Sequence, residues 1–193
     1  MFIFFQKLLD KFQSLDFLAS LALRLFLAPI FWLAGYKKLS NIEGTIGFFN
    51  SLNIPYPEIA AWTVALVEAG GAILLLIGLA VRWISIPLMV TMAVAAFTVH
   101  WKNGWQAIAD AGFCLFNCTD AEAASERLTM AKSILQEHGN YEWLTEQGNI
   151  AIVNSGIELA TTYFIMLLAL FFLGAGKYFS LDYWIRRAKM NNN

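Results

Sequence analysis

The sequence predicts an all-α polytopic membrane protein: a four-transmembrane-helix bundle with a helical extracytoplasmic insertion between helices 3 and 4. Composition is the first reason, since hydrophobic residues make up 59% of 193 positions and charged residues only 14%, against roughly 45–50% and 25% in soluble domains. The second is that four apolar stretches reach or approach the roughly 20 residues a helix needs to cross hydrocarbon. The partner implied is the lipid bilayer. A net charge of -1 excludes nucleic acid, which requires a basic surface. Two cysteines cannot form a disulfide-rich framework.

Residues 1–16 carry Phe4, Leu8, Lys11 and Leu15 at helical spacing, with Phe5, Leu9 and Phe12 alongside. The first six residues lack basic side chains and no small-residue cleavage site follows, so an uncleaved amphipathic helix in the cytoplasmic interface is expected rather than a signal peptide. The spans follow at 17–36, 59–79, 83–100 and 151–174. Pro29 and Pro87 fall within the first and third, where neighbouring helices must compensate for a lost backbone donor. The third is short, but Trp83 and Trp101 stand at its ends, as interfacial aromatics do.

With the N-terminus inside, the inner segments, including a tail at 175–193, hold seven Lys and Arg against three acids, whereas the outer segments hold five against nine. Both termini are therefore expected in the cytoplasm. The outer segment at 101–150 far exceeds an ordinary helix connection, yet it is not patterned as disorder. Thr119-Asp-Ala-Glu122 reads as a capping box, Ala124, Leu128, Ala131 and Leu135 continue at helical spacing, and Gly139 supplies a stop. Tyr141, Trp143 and Leu144 then form a second short amphipathic piece, giving an ordered extracytoplasmic cap.

Arg24, Glu68 and Glu158 fall inside spans, where a charge costs at least ~2.5 kcal/mol, so inward-facing roles are the default. Counting depth at 1.5 Å per residue pairs Arg24 with Glu68, and Glu158 with His100. The first pair reads either as an ion pair fixing helix packing or as a proton-relay or quinone-headgroup site. The second reads either as a titrating site open to the outer cap or as His100 capping its own helix. Asn154, four residues before Glu158, is expected on its face. Gly70, Gly71 and Ala72 are expected to admit a neighbouring helix closely. Lys37 and Lys38 either attract an anionic group at the outer mouth or snorkel out of the first span. Cys114 and Cys118 lie on the outer side, where they form a disulfide, offer soft ligands to copper together with His100 or Met130, or do neither.

Arg24, Ala34-Gly-Tyr-Lys-Lys38, Val67-Glu-Ala-Gly-Gly71, Leu76-Ile-Gly-Leu-Ala-Val-Arg82 and Gly174-Ala-Gly-Lys-Tyr-Phe-Ser-Leu-Asp182 resemble the DoxX superfamily of small four-helix membrane proteins, over nearly all of Leu21 to Trp184. The longer motifs Thr98–Asp110 and Ala131–Leu144 are similar to the HvfX subgroup, associated with maturation of copper-binding ribosomal peptides with modified cysteines. The resemblance implies one DoxX-like domain over 1–193 in a bacterial inner membrane, with the modified peptide or its maturation enzymes as partners. Its role would be in maturation, export or redox handling of that peptide. The wider superfamily implies instead a quinone-linked oxidoreductase subunit acting on a sulfur compound or thiol. Quinone or copper would be the cofactor accordingly, and enzyme status and self-association stay open. Carried over by the resemblance are Arg24, Glu68, His100, Trp101, Asn103, Trp105, Glu158 and Asp182, with Lys37 and Lys38 joining Trp101, Asn103 and Trp105 at an outer-mouth binding region.

Overall fold

The computed structural model describes residues 15–108, 115–116 and 118–191, the side chains of 118–122 excepted. The expected interfacial helix at 1–16 lies almost wholly outside the described residues, as does Cys114. The chain divides into two compact units, one of residues 1–91 with 163–193 and the other of residues 92–162. Both are helical.

In the first unit, helix α1 (Asp16–Ser40) is 25 residues long, about 38 Å at 1.5 Å per residue and ample for a ~30 Å hydrocarbon core. It ends at Asn41, which at once starts α2 (Ile42–Ser51): the Asn41 side chain accepts a hydrogen bond from the Gly44 N–H at 3.1 Å, the N-cap role to which asparagine is suited. No helix was expected in this connection. Its signal was local: Asn41, an acid at Glu43 in the first turn, and an apolar Phe49 that is buried.

Helix α3 (Pro57–Ile77) begins with proline in its first turn, where the missing N–H has no partner to lose. It ends at Gly78, whose φ of 70° is left-handed and whose N–H reaches back to the Leu74 and Leu75 carbonyls. A Cβ at Gly78 would also lie 2.7 Å from Ser180 Cβ and 2.8 Å from Arg24 Cζ. Conformation and space both demand glycine there. One residue after Leu79–Ala80, helix α4 (Val81–Ala95) turns back.

Small residues set how these helices meet. On α3, Ala61, Ala65, Glu68, Ala69 and Ala72 are buried at spacings that share one helix face. Gly35 of α1 sits against Ala69 so closely that a Cβ would lie 2.5 Å from the Ala69 nitrogen. Within the expected run of small residues, Gly71 packs on Leu88 and Ile84, whereas Gly70 faces open space. Leu27, Phe31, Leu75, Val81, Leu88, Leu167 and Leu170 complete a fully buried core.

In the second unit, the apolar helix that began at Val81 continues through a π-helical turn (Ala96–His100) and a 3-10 turn (Trp101–Asn103), a run of 23 residues. Gly104–Ile108 then clasps 153–158: the N–H groups of Asn154, Gly156, Ile157 and Glu158 donate to the carbonyls of Ala107, Gln106, Gly104 and Trp105 at 2.9–3.0 Å. A Cβ at Gly156 would collide with the Gln106 carbonyl. Helix α5 (Cys118–His138) ends at Gly139, whose N–H bonds the Leu135 carbonyl at 2.9 Å, and α6 (Tyr141–Thr145) is N-capped by Asn140.

Among the described residues three helices are long and apolar enough to cross a membrane, namely Asp16–Ser40, Pro57–Ile77 and Val81–Asn103. The expected fourth span at 151–174 is met by a shorter apolar helix. This helix, α7 (Glu158–Leu173), has 16 residues, about 24 Å, because 153–157 is not helical and is hydrogen-bonded to 104–107. Hydropathy cannot see that pairing. The chain closes with α8 (Leu181–Asn191).

Two glycines one helix end apart should respond oppositely to alanine. Gly70→Ala, in an open helix interior, should stabilise by about 0.5–1 kcal/mol, whereas Gly78→Ala should destabilise by more than about 1 kcal/mol. Thermal unfolding of the two detergent-purified variants checks the pair, and equal shifts would refute it.

Candidate functional site

Two clusters of polar side chains stand out, one in each unit. In the first unit, the register imposed by Gly35 on Ala69 places Lys38, one helical turn beyond Gly35, against Glu68. Its Nζ donates to Glu68 Oε2 at 2.6 Å. The two partners differ sharply in environment: the Glu68 side chain is 4% exposed and the Lys38 side chain 27%. Lys38 also lines a cleft of about 340 Å³ with Lys37, Asn41, Thr45, Phe48 and Phe49. One ammonium thus touches a buried carboxylate on one side and an aromatic-walled cleft on the other.

Arg24 is not the partner of Glu68. It lies 11 residues before Gly35, about 16 Å along α1, and its guanidinium is bound at the opposite end of α3. Nε donates to the Leu75 carbonyl at 2.8 Å, Nη1 to Ala175 at 2.5 Å, and Nη2 to Leu76 at 3.2 Å and Phe179 at 2.9 Å. The Leu75 and Leu76 carbonyls belong to the last turn of α3, where helix geometry leaves acceptor capacity, and those of Ala175 and Phe179 to the non-helical chain past α7. A cation there also meets the negative ends of helix dipoles. Asp182 supplies the opposing charge, and its own carboxylate accepts from the N–H groups of Ala80 and Val81 at 2.9 and 3.3 Å. That cap joins positions about a hundred residues apart and has no signature at either end of the sequence. Ser20 adds a bond to the Gly174 carbonyl at 2.5 Å.

In the second unit, His100 and Glu158 do not bond to each other. His100 Nδ1 lies 2.6 Å from the Ser155 carbonyl, which also accepts from Asn103 Nδ2 at 3.1 Å. A carbonyl can only accept, so Nδ1 is the donor. Ser155 has a left-handed φ of 55°. Glu158 instead accepts from the Ala107 N–H at 2.9 Å, and Asn154, which precedes the helix rather than sharing its face, donates to the Asn103 carbonyl at 2.6 Å. Trp105 packs on Ala96, Ile157 and Ala160 together with Phe116. Phe97, Trp101 and Phe116 form a row with centroids 5.4 and 5.2 Å apart. Most of the residues expected at this level therefore brace the clasp between 104–108 and 153–158.

Of the expected copper ligands, Cys114 and the Cys118 side chain lie outside the described residues. Among the described residues no group of three or more His, Cys, Asp or Glu is placed to hold a metal.

Comparison with known proteins places residues 19–101 within the DoxX family. That region contains Arg24, Lys37, Lys38, Glu68 and His100. The chain is 32% identical over 98 residues to a Bacillus subtilis (strain 168) protein named "Putative oxidoreductase CatD", a match spanning 51% of this chain and 72% of that protein. No solved structure matches.

The pair itself is testable by a double-mutant cycle. Lys38→Gln alone, which strands the buried Glu68 carboxylate, should destabilise by about 2 kcal/mol, between the values for exposed and buried pairs. Adding Glu68→Gln should recover more than half of that loss. Additive losses in detergent melts would show that the two charges are not coupled.

Proposed function

Since the chain belongs to the DoxX family of membrane proteins, we propose that it serves as the membrane subunit of an oxidoreductase that passes electrons from a sulfur compound or thiol to quinone. The observation that carries this reading is the Lys38–Glu68 pair at the wall of the cleft. The name borne by the Bacillus subtilis relative agrees with the reaction class.

The cleft suits a quinone head group in size and lining. Phe48 and Phe49 offer apolar surface, while Lys38, Asn41 and Thr45 offer polar atoms at one wall, the mixture expected of a small-molecule site. A bound quinone accepts two electrons and two protons; oxidation of two thiols to a disulfide releases the same numbers. In this reading Lys38 donates a charge-assisted hydrogen bond to a carbonyl oxygen. Glu68, itself buried, holds the ammonium in place; Lys38 gives a proton to the reduced quinone oxygen, and the amine so formed takes one back from water at the open cleft. Lys37 adds positive charge at the rim.

The assembly proposed with it has four spans, Glu158–Leu173 crossing where the bilayer thins to meet a short helix. Both termini face the cytoplasm, following the distribution of Lys and Arg. A second reading, an inner-membrane accessory protein for a copper-binding modified peptide, rests on the resemblance of Thr98–Asp110 and Ala131–Leu144. The observation favouring it is the exposed aromatic surface of Phe97 and Trp101, a suitable rest for a peptide.

One preparation separates the two. Detergent-purified protein should bind a short-chain quinone analogue, and Lys38→Gln should weaken that binding about ten-fold, the value of one charge-assisted hydrogen bond. Unchanged affinity in Lys38→Gln would remove the site. Absence of quinone binding together with stoichiometric copper by elemental analysis would put the peptide reading first.

A further inference from the structure

We propose that α8 is an interfacial helix that binds anionic phospholipid headgroups in the leaflet adjoining the Gly78–Val81 turn. The argument begins with where the helix is fastened. That turn joins two helices each long enough to span the bilayer, so it lies at a bilayer face. The first turn of α8 is tied to it three times: Asp182 Oδ1 accepts from the Ala80 N–H, Asp182 Oδ2 from the Val81 N–H, and the Asp182 N–H donates to the Gly78 carbonyl at 3.1 Å. The helix therefore starts at the membrane boundary.

Its sequence decides which way it runs from there. Leu181, Trp184, Ile185 and Ala188 recur at i, i+3, i+4 and i+7, one apolar stripe, and the three large side chains are 44–50% exposed. Projecting into water would leave that stripe wet. Turning into hydrocarbon would drown Arg186, Arg187 and Lys189, all exposed. Lying in the interface satisfies both, with the stripe toward the acyl chains and the three cations at headgroup level. Arg187 is already held there, its guanidinium 5.5 Å from the Trp184 ring centroid, while Trp184 Nε1 donates to the Tyr178 carbonyl at 2.8 Å. Exposed Tyr178 and Phe179 precede the helix, an aromatic belt at the same level.

Three cations against the single acid of α8, and that acid consumed by the turn, favour anionic over zwitterionic lipid. Each Lys or Arg near such a surface is worth about a five-fold preference. The full chain and its Trp184→Phe variant are reconstituted in phosphatidylcholine bilayers containing brominated phosphatidylglycerol or brominated phosphatidylcholine. The difference between the two proteins isolates quenching of Trp184. Both lipids should quench it, with phosphatidylglycerol preferred at least about five-fold at low salt and less at high salt. Arg186→Gln, Arg187→Gln and Lys189→Gln together should abolish the preference while leaving quenching by brominated phosphatidylcholine intact. No Trp184 quenching by either lipid would overturn the interfacial placement. Equal quenching by both lipids, or a preference that survives the triple substitution, would overturn headgroup binding by these residues.

Discussion

Much of the first unit depends on one guanidinium filling four backbone carbonyls. Arg24 is 1% exposed in a core built mainly from leucine, phenylalanine and alanine, and such a position is tolerable only because its donors are matched. The matching groups are not side chains placed for the purpose. They are main-chain carbonyls in the last turn of α3 and in the non-helical chain after α7. The arginine therefore solves two problems at once: its own desolvation, and that of carbonyls buried beside it. Gly78 lies directly against both the guanidinium and Ser180, so the C-cap of α3, the link after α7 and the start of α8 converge there.

This leaves Glu68 to a different partner and a different job. Arg24 is locked by geometry on all sides, whereas Lys38 is held by one carboxylate and otherwise borders open space. The first arrangement suits rigidity and the second suits exchange. One charge of α1 thus sits in a four-carbonyl joint and another at a cleft, some twenty ångströms apart along the same helix at 1.5 Å per residue.

The apolar spans were legible because lipid-facing and core-facing residues alike are apolar, so hydropathy registers α1, α3 and α4 without knowing how they pack. Legibility failed where structure depends on distant backbone. The start of α7 is set by carbonyls at 104–107, and the cap on Ala80 and Val81 comes from Asp182. Neither leaves a local mark. Depth counting set Arg24 opposite Glu68 because it treated charges as what sets register, whereas the contact of Gly35 with Ala69 slides the helices until Lys38 meets the carboxylate. His100, Asn103, Asn154 and Glu158 bond to main-chain groups, and side-chain identities do not reveal such partners. Asn41 with Phe48 and Phe49 was readable in principle; a ten-residue helix inside a connection is simply short for periodicity to register.

The acceptors of Arg24 also impose an order on synthesis. Leu75 and Leu76 emerge from the ribosome about fifty residues after the arginine, but Ala175 and Phe179 follow only some hundred residues later still, several seconds at ordinary elongation rates. During that interval the nascent α1–α3 hairpin holds its guanidinium half satisfied within the bilayer. The joint then lacks two of its four acceptors, so this part of the first unit closes only once the chain past α7 has been made.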